Sequence, residues 1–229
     1  MVIGGLQRFS LSDFPGMISA IVFTRGCGFR CPYCHNPELV DPSRFDKEFP
    51  LSEVREFLHS RREQLQGVVV TGGEPTLHDD LPSFLRELKD MGFAVKLDTN
   101  GTNPLMLQQV VAEGLVDFIA MDIKAPLALY EQTVKARVKA PDILRSIGLI
   151  LASGLPHEFR TTCVDSLLSA DDILSIAELL KGCDRYVLQS FHGGSMLDQS
   201  LEAELPVDEA RLTEIVEALS ATGLMVGRR

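Results

Sequence analysis

Three cysteines sit within one short stretch of the chain, Thr24-Arg25-Gly26-Cys27-Gly28-Phe29-Arg30-Cys31-Pro32-Tyr33-Cys34-His35-Asn36. Thiols separated by three and then two residues are able to wrap one metal centre from a single loop. Gly26 and Gly28 let the backbone approach that centre closely. Soft thiolates select zinc, copper(I) or iron–sulfur centres. An electron-transfer cluster takes four cysteines, yet the remaining two, Cys163 and Cys183, stand isolated far along the sequence. Three protein ligands on a four-iron cluster leave one iron open, by the logic that keeps one position free at a catalytic zinc. The alternative is a zinc knuckle with His35 as fourth ligand, although zinc motifs commonly pair two cysteines with a distant second pair.

Further polar residues gather where apolar runs end. Thr71-Gly72-Gly73-Glu74-Pro75 closes one run, Asp98-Thr99-Asn100-Gly101 the next, and Asp122-Ile123-Lys124 the one after. Taken singly, each reads as turn chemistry, because Gly-Gly, Asn-Gly and Asp are frequent loop residues. Taken together, Asp98 and Asp122 place two carboxylates at neighbouring strand ends, a pair suited to a cation. Arg160 lies inside a later run with Glu158 as one available partner, and His192 follows another in Gln189-Ser190-Phe191-His192-Gly193. His59, His78 and His157 read as surface or packing residues, and Cys163 and Cys183 as small core hydrophobes.

The elements that would position these residues alternate along the chain. Runs rich in Val, Ile and Phe at 18–24, 67–71, 93–98, 116–123, 157–164 and 185–190 read as strands. Apolar spacing near 3.6 predicts helices over 52–65, 80–91, 104–113, 141–153, 170–181 and 207–222. Ser52 reads as an N-cap, and Ser169 with Asp172 as a loose capping box. Parallel neighbours need crossover helices, so the pattern implies an α/β fold with helices outside a parallel sheet. A full eight-unit barrel takes ~250 residues, so the chain suits a partial, open (β/α)6 TIM-like barrel. A doubly wound sheet is the other topology open to the pattern. Residues 1–229 read as a single domain, with 1–17 a lead-in and 18–229 the βα units. In either topology the active site lies at the C-terminal ends of the strands, where every motif above falls.

Composition narrows the function. The chain has 229 residues, 45% hydrophobic and 24% charged, ordinary for a globular protein. Its formal net charge of −10 argues against nucleic-acid binding. The longest apolar runs are strand-length, well short of the ~20 residues of a membrane helix, and the N-terminus lacks the order of a secretory leader. A cytoplasmic protein is expected, and in that compartment clustered cysteines mean metal or catalysis.

The CxxxCxxC spacing, with Tyr33 just before the third cysteine, resembles the signature of the radical S-adenosylmethionine superfamily. The resemblance implies one 4Fe–4S cluster held by Cys27, Cys31 and Cys34, with S-adenosylmethionine as cofactor beside Tyr33. Gly72, Gly73 and Glu74 resemble the family's GGE motif, whose backbone and carboxylate meet the cofactor's amino group. The DTNG and D-x-K segments, carrying Asp98, Asn100, Asp122 and Lys124, resemble the glycyl-radical enzyme activases within the superfamily. In that subset Asp98, Thr99, Asp122 and the carbonyl of Ala120 would form a monovalent-cation site. Arg160 resembles the family arginine near the cofactor's carboxylate or ribose. His192 is similar to the histidine of a PYH turn, here with Ser-Phe in place of Pro-Tyr. Leu11-Ser12-Asp13-Phe14-Pro15-Gly16 is similar to the D-x-P-G segment of activases and implies contact between Asp13 and a protein substrate. The stretch from Gly4 to Leu39 resembles the longer activases of anaerobic ribonucleoside-triphosphate reductase. The implied activity is a 5′-deoxyadenosyl radical that takes the α-hydrogen of one glycine in that reductase, with flavodoxin or ferredoxin as electron donor. Activation of another glycyl-radical enzyme such as pyruvate formate-lyase, or turnover of a small molecule, are the alternatives.

Overall fold

The computed structural model describes residues 1–201 and 203–229. Its elements, in chain order, are β1 (Ile3–Ser10), β2 (Ser19–Thr24), α1 (Pro37–Val40), α2 (Leu51–Arg61), β3 (Gly67–Gly72), α3 (Leu81–Asp90), β4 (Ala94–Thr99), α4 (Pro104–Ala112), β5 (Phe118–Asp122), α5 (Tyr130–Val134), α6 (Ala140–Ala152), β6 (His157–Cys163), α7 (Ala170–Leu179), β7 (Tyr186–Ser190), α8 (Glu209–Ser220) and β8 (Val226–Arg228). The strands form one sheet in the order β1 to β8. β1 runs antiparallel to β2, and every later pair is parallel. The helices between β2 and β8 are the crossovers that parallel pairing demands.

The six expected strands and six expected helices are all present, with ends displaced by a few residues. Two strands escape the sequence reading. β1 lies in the supposed lead-in, where register shifts between Ile3 and Gly5 and between Gln7 and Ser10 blur its period-two pattern. β8 spans only Val226–Arg228, too short to show a period. The sheet therefore carries six βα units plus one edge strand at each end. The capping box is present, since Ser169 and Asp172 exchange side chain-to-backbone hydrogen bonds at the start of α7. Ser52 is not a cap: α2 begins at Leu51 after Pro50 and has no side-chain cap.

Alternation along the strands divides the side chains. Val22, Val68, Val70, Leu97, Ile119 and Leu188 face the helices within the main core. The opposite, concave face holds a second, small apolar cluster of Phe14, Ile21 and Val69. Phe14 meets Phe118 edge-on, with centroids 6.1 Å apart. The sheet curls far enough that Arg229 Nη2, just beyond β8, donates to the carbonyl of Ser12 beside β1 at 2.9 Å. Because β1 is antiparallel, Ser10 pairs with Ser19 at the start of β2. The segment Leu11–Gly16 thus lies at the N-terminal end of the parallel strands, and the cysteine loop lies at the other end.

Candidate active site at the C-terminal ends of the strands

The cysteine loop leaves β2 and is fixed by backbone bonds on several sides. Gly26 N donates to Leu39 O at 2.7 Å, Arg30 N to Val134 O at 2.8 Å, and Leu197 N to Cys34 O at 3.1 Å. Asp198 N donates to Pro32 O, and Arg44 holds the carbonyls of Met196 and Leu197, so segment 196–198 straps the loop from outside. Inside, all three cysteines line one cavity of about 270 Å³. Its other walls come from the ends of β3 to β7: Thr71 to Glu74, Asp98 to Asn100, Asp122 with Lys124, Arg160 with Thr162, and Gln189. Five successive strand ends converge where the fold places its active sites.

The thiols are unpaired. Burial pushes Cys27 up to about 12 and Cys31 up to about 11, and raises Cys34 as well. Without metal they are therefore neutral thiols, and ligation must displace their protons. Phe29 N donates to Cys27 Sγ at 3.3 Å and Asn100 Nδ2 lies 3.8 Å from it. Among the described residues, no group of three His, Cys, Asp or Glu side chains is set to hold a single metal ion. His35 instead stacks on Phe191, with ring centroids 5.9 Å apart. Three soft thiols opening on a cavity lined by carboxylates and a guanidinium fit an iron–sulfur cluster with a charged cofactor beside it.

Gly72, the last residue of β3, and Gly73 after it lie against the cysteine loop. Gly72 has φ of 117°, and a Cβ there would lie 2.4 Å from the backbone of Thr24. A Cβ on Gly73 would lie 2.0 Å from Gly26 O. Both are needed because the cysteine loop packs directly on this turn, tied by Gly73 N to Thr24 O and Glu74 N to Gly26 O. The Glu74 carboxylate is fully buried and accepts from Thr76 N, Thr76 Oγ1, Thr99 Oγ1 and Asn100 N. It joins the turn after β3 to the turn after β4.

Asp98 and Asp122 come together through Arg160. Arg160 Nε donates to Asp122 Oδ1 at 2.7 Å, and Nη1 donates to Asp98 Oδ2 at 3.1 Å. Lys96 Nζ reaches Asp98 Oδ1 at 2.6 Å, and Lys124 Nζ reaches Asp122 Oδ2 at 3.1 Å. Burial works against ionisation of both acids, but the Arg160 guanidinium, joined by the Lys96 ammonium at Asp98 and the Lys124 ammonium at Asp122, outweighs it, so both carboxyls are held below the usual range. Protein cations thus occupy the carboxylates read as a cation site. Thr99 turns away to Glu74, and Ala120 merely lies beside Asp98 in the sheet. The sign of the pH effect follows: this ionised network contributes stability above the carboxylates' unfolded pKa of about 4, and loses it as pH falls through their lower folded values. The melting temperature is expected to drop as pH is lowered from 4 toward 2. Asp122→Asn should cost roughly 2 kcal/mol at pH 7, with the gap to the parent protein narrowing toward pH 2. A gap that stayed constant with pH would show that ionisation of Asp122 adds nothing to stability.

The remaining expected residues separate. Tyr33 and Lys124 line the cavity. His192 is exposed beyond β7 and outside the cavity wall, while its neighbour Phe191 is buried. Asp13 is at the far end of the barrel, where its carboxylate accepts from the Ser10 hydroxyl, whose oxygen in turn accepts from Ser12 N and Asp13 N. Lys96 and Thr76 were not expected, and Glu158 was read only as an available partner of Arg160. Period two from Asp98 and from Arg160 puts Lys96 and Glu158 on the concave face, a signal that was available in the sequence.

A family model described as the radical SAM superfamily matches residues 21–180. The chain belongs to the radical SAM superfamily. Among its relatives, a Methanocaldococcus jannaschii protein provisionally named a glycyl-radical enzyme activating enzyme is 32% identical over 90% of this chain and 86% of its own length. The pyruvate formate-lyase-activating enzyme of Clostridium pasteurianum is 30% identical over 84% of both chains. The fold is shared with Streptococcus suis SuiB bound to S-adenosylmethionine, at a TM-score of 0.70 and 13% identity. That match covers 91% of this chain, which spans about half (51%) of SuiB. Radical SAM enzymes carry a 4Fe–4S cluster and bind S-adenosylmethionine. Among the described residues, no helix is long and apolar enough to cross a membrane.

Proposed function

We propose that this radical SAM enzyme is the activase of a glycyl-radical enzyme, and that its partner is anaerobic ribonucleoside-triphosphate reductase. The observation that carries the activase reading is likeness along most of the chain to two relatives with activating-enzyme names, joined to a cavity ringed by three cysteines and the Asp98–Arg160–Asp122 network. When bound, the cluster and S-adenosylmethionine supply an adenosyl radical able to take hydrogen from a glycine α-carbon. The chain's own residues perform the rest. Cys27, Cys31 and Cys34 would hold the cluster in the cavity they line. Glu74 keeps the turns at Gly73 and Asn100 in register, and Asp98, Asp122, Arg160 and Lys124 present charge to the cofactor's polar groups. Burial of this network keeps water from the reactive centre. The two isolated cysteines are too few to hold a further cluster, which favours a simple activase over many peptide-modifying relatives.

The reductase as partner rests on the resemblance of the stretch from Gly4 to Leu39. The pyruvate formate-lyase activase among the relatives supports the second reading, in which that enzyme is the substrate. A flavodoxin or ferredoxin would supply the electron. A monovalent cation between Asp98 and Asp122 would first have to compete with Arg160. The test mixes reduced protein, S-adenosylmethionine and each candidate partner without oxygen, then records electron paramagnetic resonance. A glycyl doublet on the reductase is the expected result. A doublet on pyruvate formate-lyase alone would reassign the partner, and cofactor turnover with no protein radical would remove the activase reading.

A further inference from the structure

Asn100 ties the turn after β4 to the cysteine loop through its side chain. The residue is 5% exposed, and its backbone N is held by Glu74 Oε2 at 2.6 Å. Its Oδ1 accepts from Thr102 N at 3.0 Å and from Thr102 Oγ1 at 2.7 Å. A backbone N–H can only donate, so the atom facing Thr102 must be the amide oxygen. The amide nitrogen is thereby turned to the other side, where Nδ2 lies 3.8 Å from Cys27 Sγ. Phe29 N donates to the same sulfur at 3.3 Å. Among the described residues, Cys27 is the one loop cysteine that meets a side-chain donor as well as a backbone one.

The turn itself does not call for that nitrogen. It uses Oδ1 alone, and Asp or Ser could supply an equivalent oxygen. What Asn adds is a fixed N–H donor aimed at a cluster ligand. Hydrogen bonds to ligand sulfurs are among the levers that set the potential of an iron–sulfur cluster. Reduction adds one electron and makes the thiolates more negative, so a donor stabilises the reduced state, and more strongly in a buried site than in water.

We propose that Asn100 is a positioning residue that acts on the cluster through Cys27: Nδ2–H donates to the Cys27 thiolate and raises the reduction potential. The electron enters from the one-electron donor and leaves to the sulfonium of S-adenosylmethionine, and Asn100 is unchanged by either transfer. Its bond eases loading of the cluster at the expense of driving force for cofactor cleavage. The inference rests on the cluster being held by Cys27, Cys31 and Cys34, and not on which partner is activated.

Asn100→Ser and Asn100→Leu test it in the cluster-loaded protein. Ser keeps an oxygen for Thr102 N and is too short to reach Cys27. Leu matches the shape of the amide and keeps water from replacing the lost donor. A redox titration without S-adenosylmethionine, followed by electron paramagnetic resonance of the reduced cluster, gives the midpoint potential. Iron content and melting temperature are recorded beside it. Both variants should carry the parent's iron and show a lower potential, by roughly tenfold in the one-electron equilibrium, or about 59 mV. Thr102→Val slackens the same turn but leaves Nδ2 in place, so it should melt lower and keep the parent's potential. Equilibria within twofold of the parent in both Asn100 variants would overturn the proposal. An equal fall in Thr102→Val would overturn it too, since looseness of the turn would then be the cause. So would loss of iron from both Asn100 variants while Thr102→Val stayed loaded, which would make Asn100 a residue of cluster retention. A parent protein that bound no iron would instead remove the cluster reading, and this inference with it.

Discussion

Replacing any one of Cys27, Cys31 or Cys34 with Ala is expected to reduce cleavage of S-adenosylmethionine to background. The three side chains share one cavity and one loop, and the described residues hold no other thiol positioned to substitute. Cys163 is 2% exposed in the main core, and Cys183 packs at its margin. Cys163→Ala therefore removes packing and costs about 1 kcal/mol, with turnover per cluster unchanged. Iron and sulfide content, measured on anaerobically purified protein beside cofactor cleavage, separates the two outcomes. A variant lacking all three loop cysteines that still carried iron and cleaved the cofactor would overturn the assignment of the site. Loss of iron in Cys163→Ala at an unchanged melting temperature would bring that residue into the ligand set.

The second large effect is one of folding. Glu74→Ala is expected to destabilise the protein by roughly 3–5 kcal/mol, because it strands buried donors on Thr76, Thr99 and Asn100. In a chain of this size that corresponds to a fall of about 10 °C in melting temperature. Glu74→Gln should be intermediate, since its carbonyl oxygen accepts where its amide nitrogen meets another donor. Cofactor affinity should fall in both, as the turns carrying Gly73 and Asn100 lose their register. Thermal melting before any cluster is added is the decisive measurement. A variant that melted like the parent yet failed to bind cofactor would restore Glu74 to the role of a direct ligand.

These two cases show where sequence reading succeeds and where it stops. The cysteines were legible because their spacing lies within one loop and their chemistry is that of the residue type. The six parallel strands were legible because buried strands need continuous β-branched runs such as Gly67–Thr71. The bonds from Thr99 and Asn100 to Glu74 were not legible because those donors lie in a loop one strand away, and only the parallel pairing of β3 with β4 brings them together. The close approach of Gly73 to Gly26 O was not legible either, since the cysteine loop meets this turn only in the folded chain. His192 and Asp13 were inferred from likeness of short segments. The chain turns His192 outward after Phe191, and carries Asp13 to the far end with β1. Lys96 was passed over because a lysine between apolar neighbours looks like a solvated strand residue, although it is fully buried against Asp98.

The strap across the cysteine loop bears on how the enzyme survives damage. Backbone bonds to Leu39, Val134 and Leu197 hold the loop at three points besides its thiols. In a zinc finger the site collapses when its ion is withdrawn. Here an inorganic core destroyed by air would leave its mould standing, three thiols still gathered round a cavity and still in the order needed to accept a replacement. Recovery after oxygen exposure then becomes a matter of delivering iron and sulfide to a folded host, without passage through the unfolded chain. For an enzyme whose chemistry excludes oxygen, that makes exposure an interruption of service that repair can reverse.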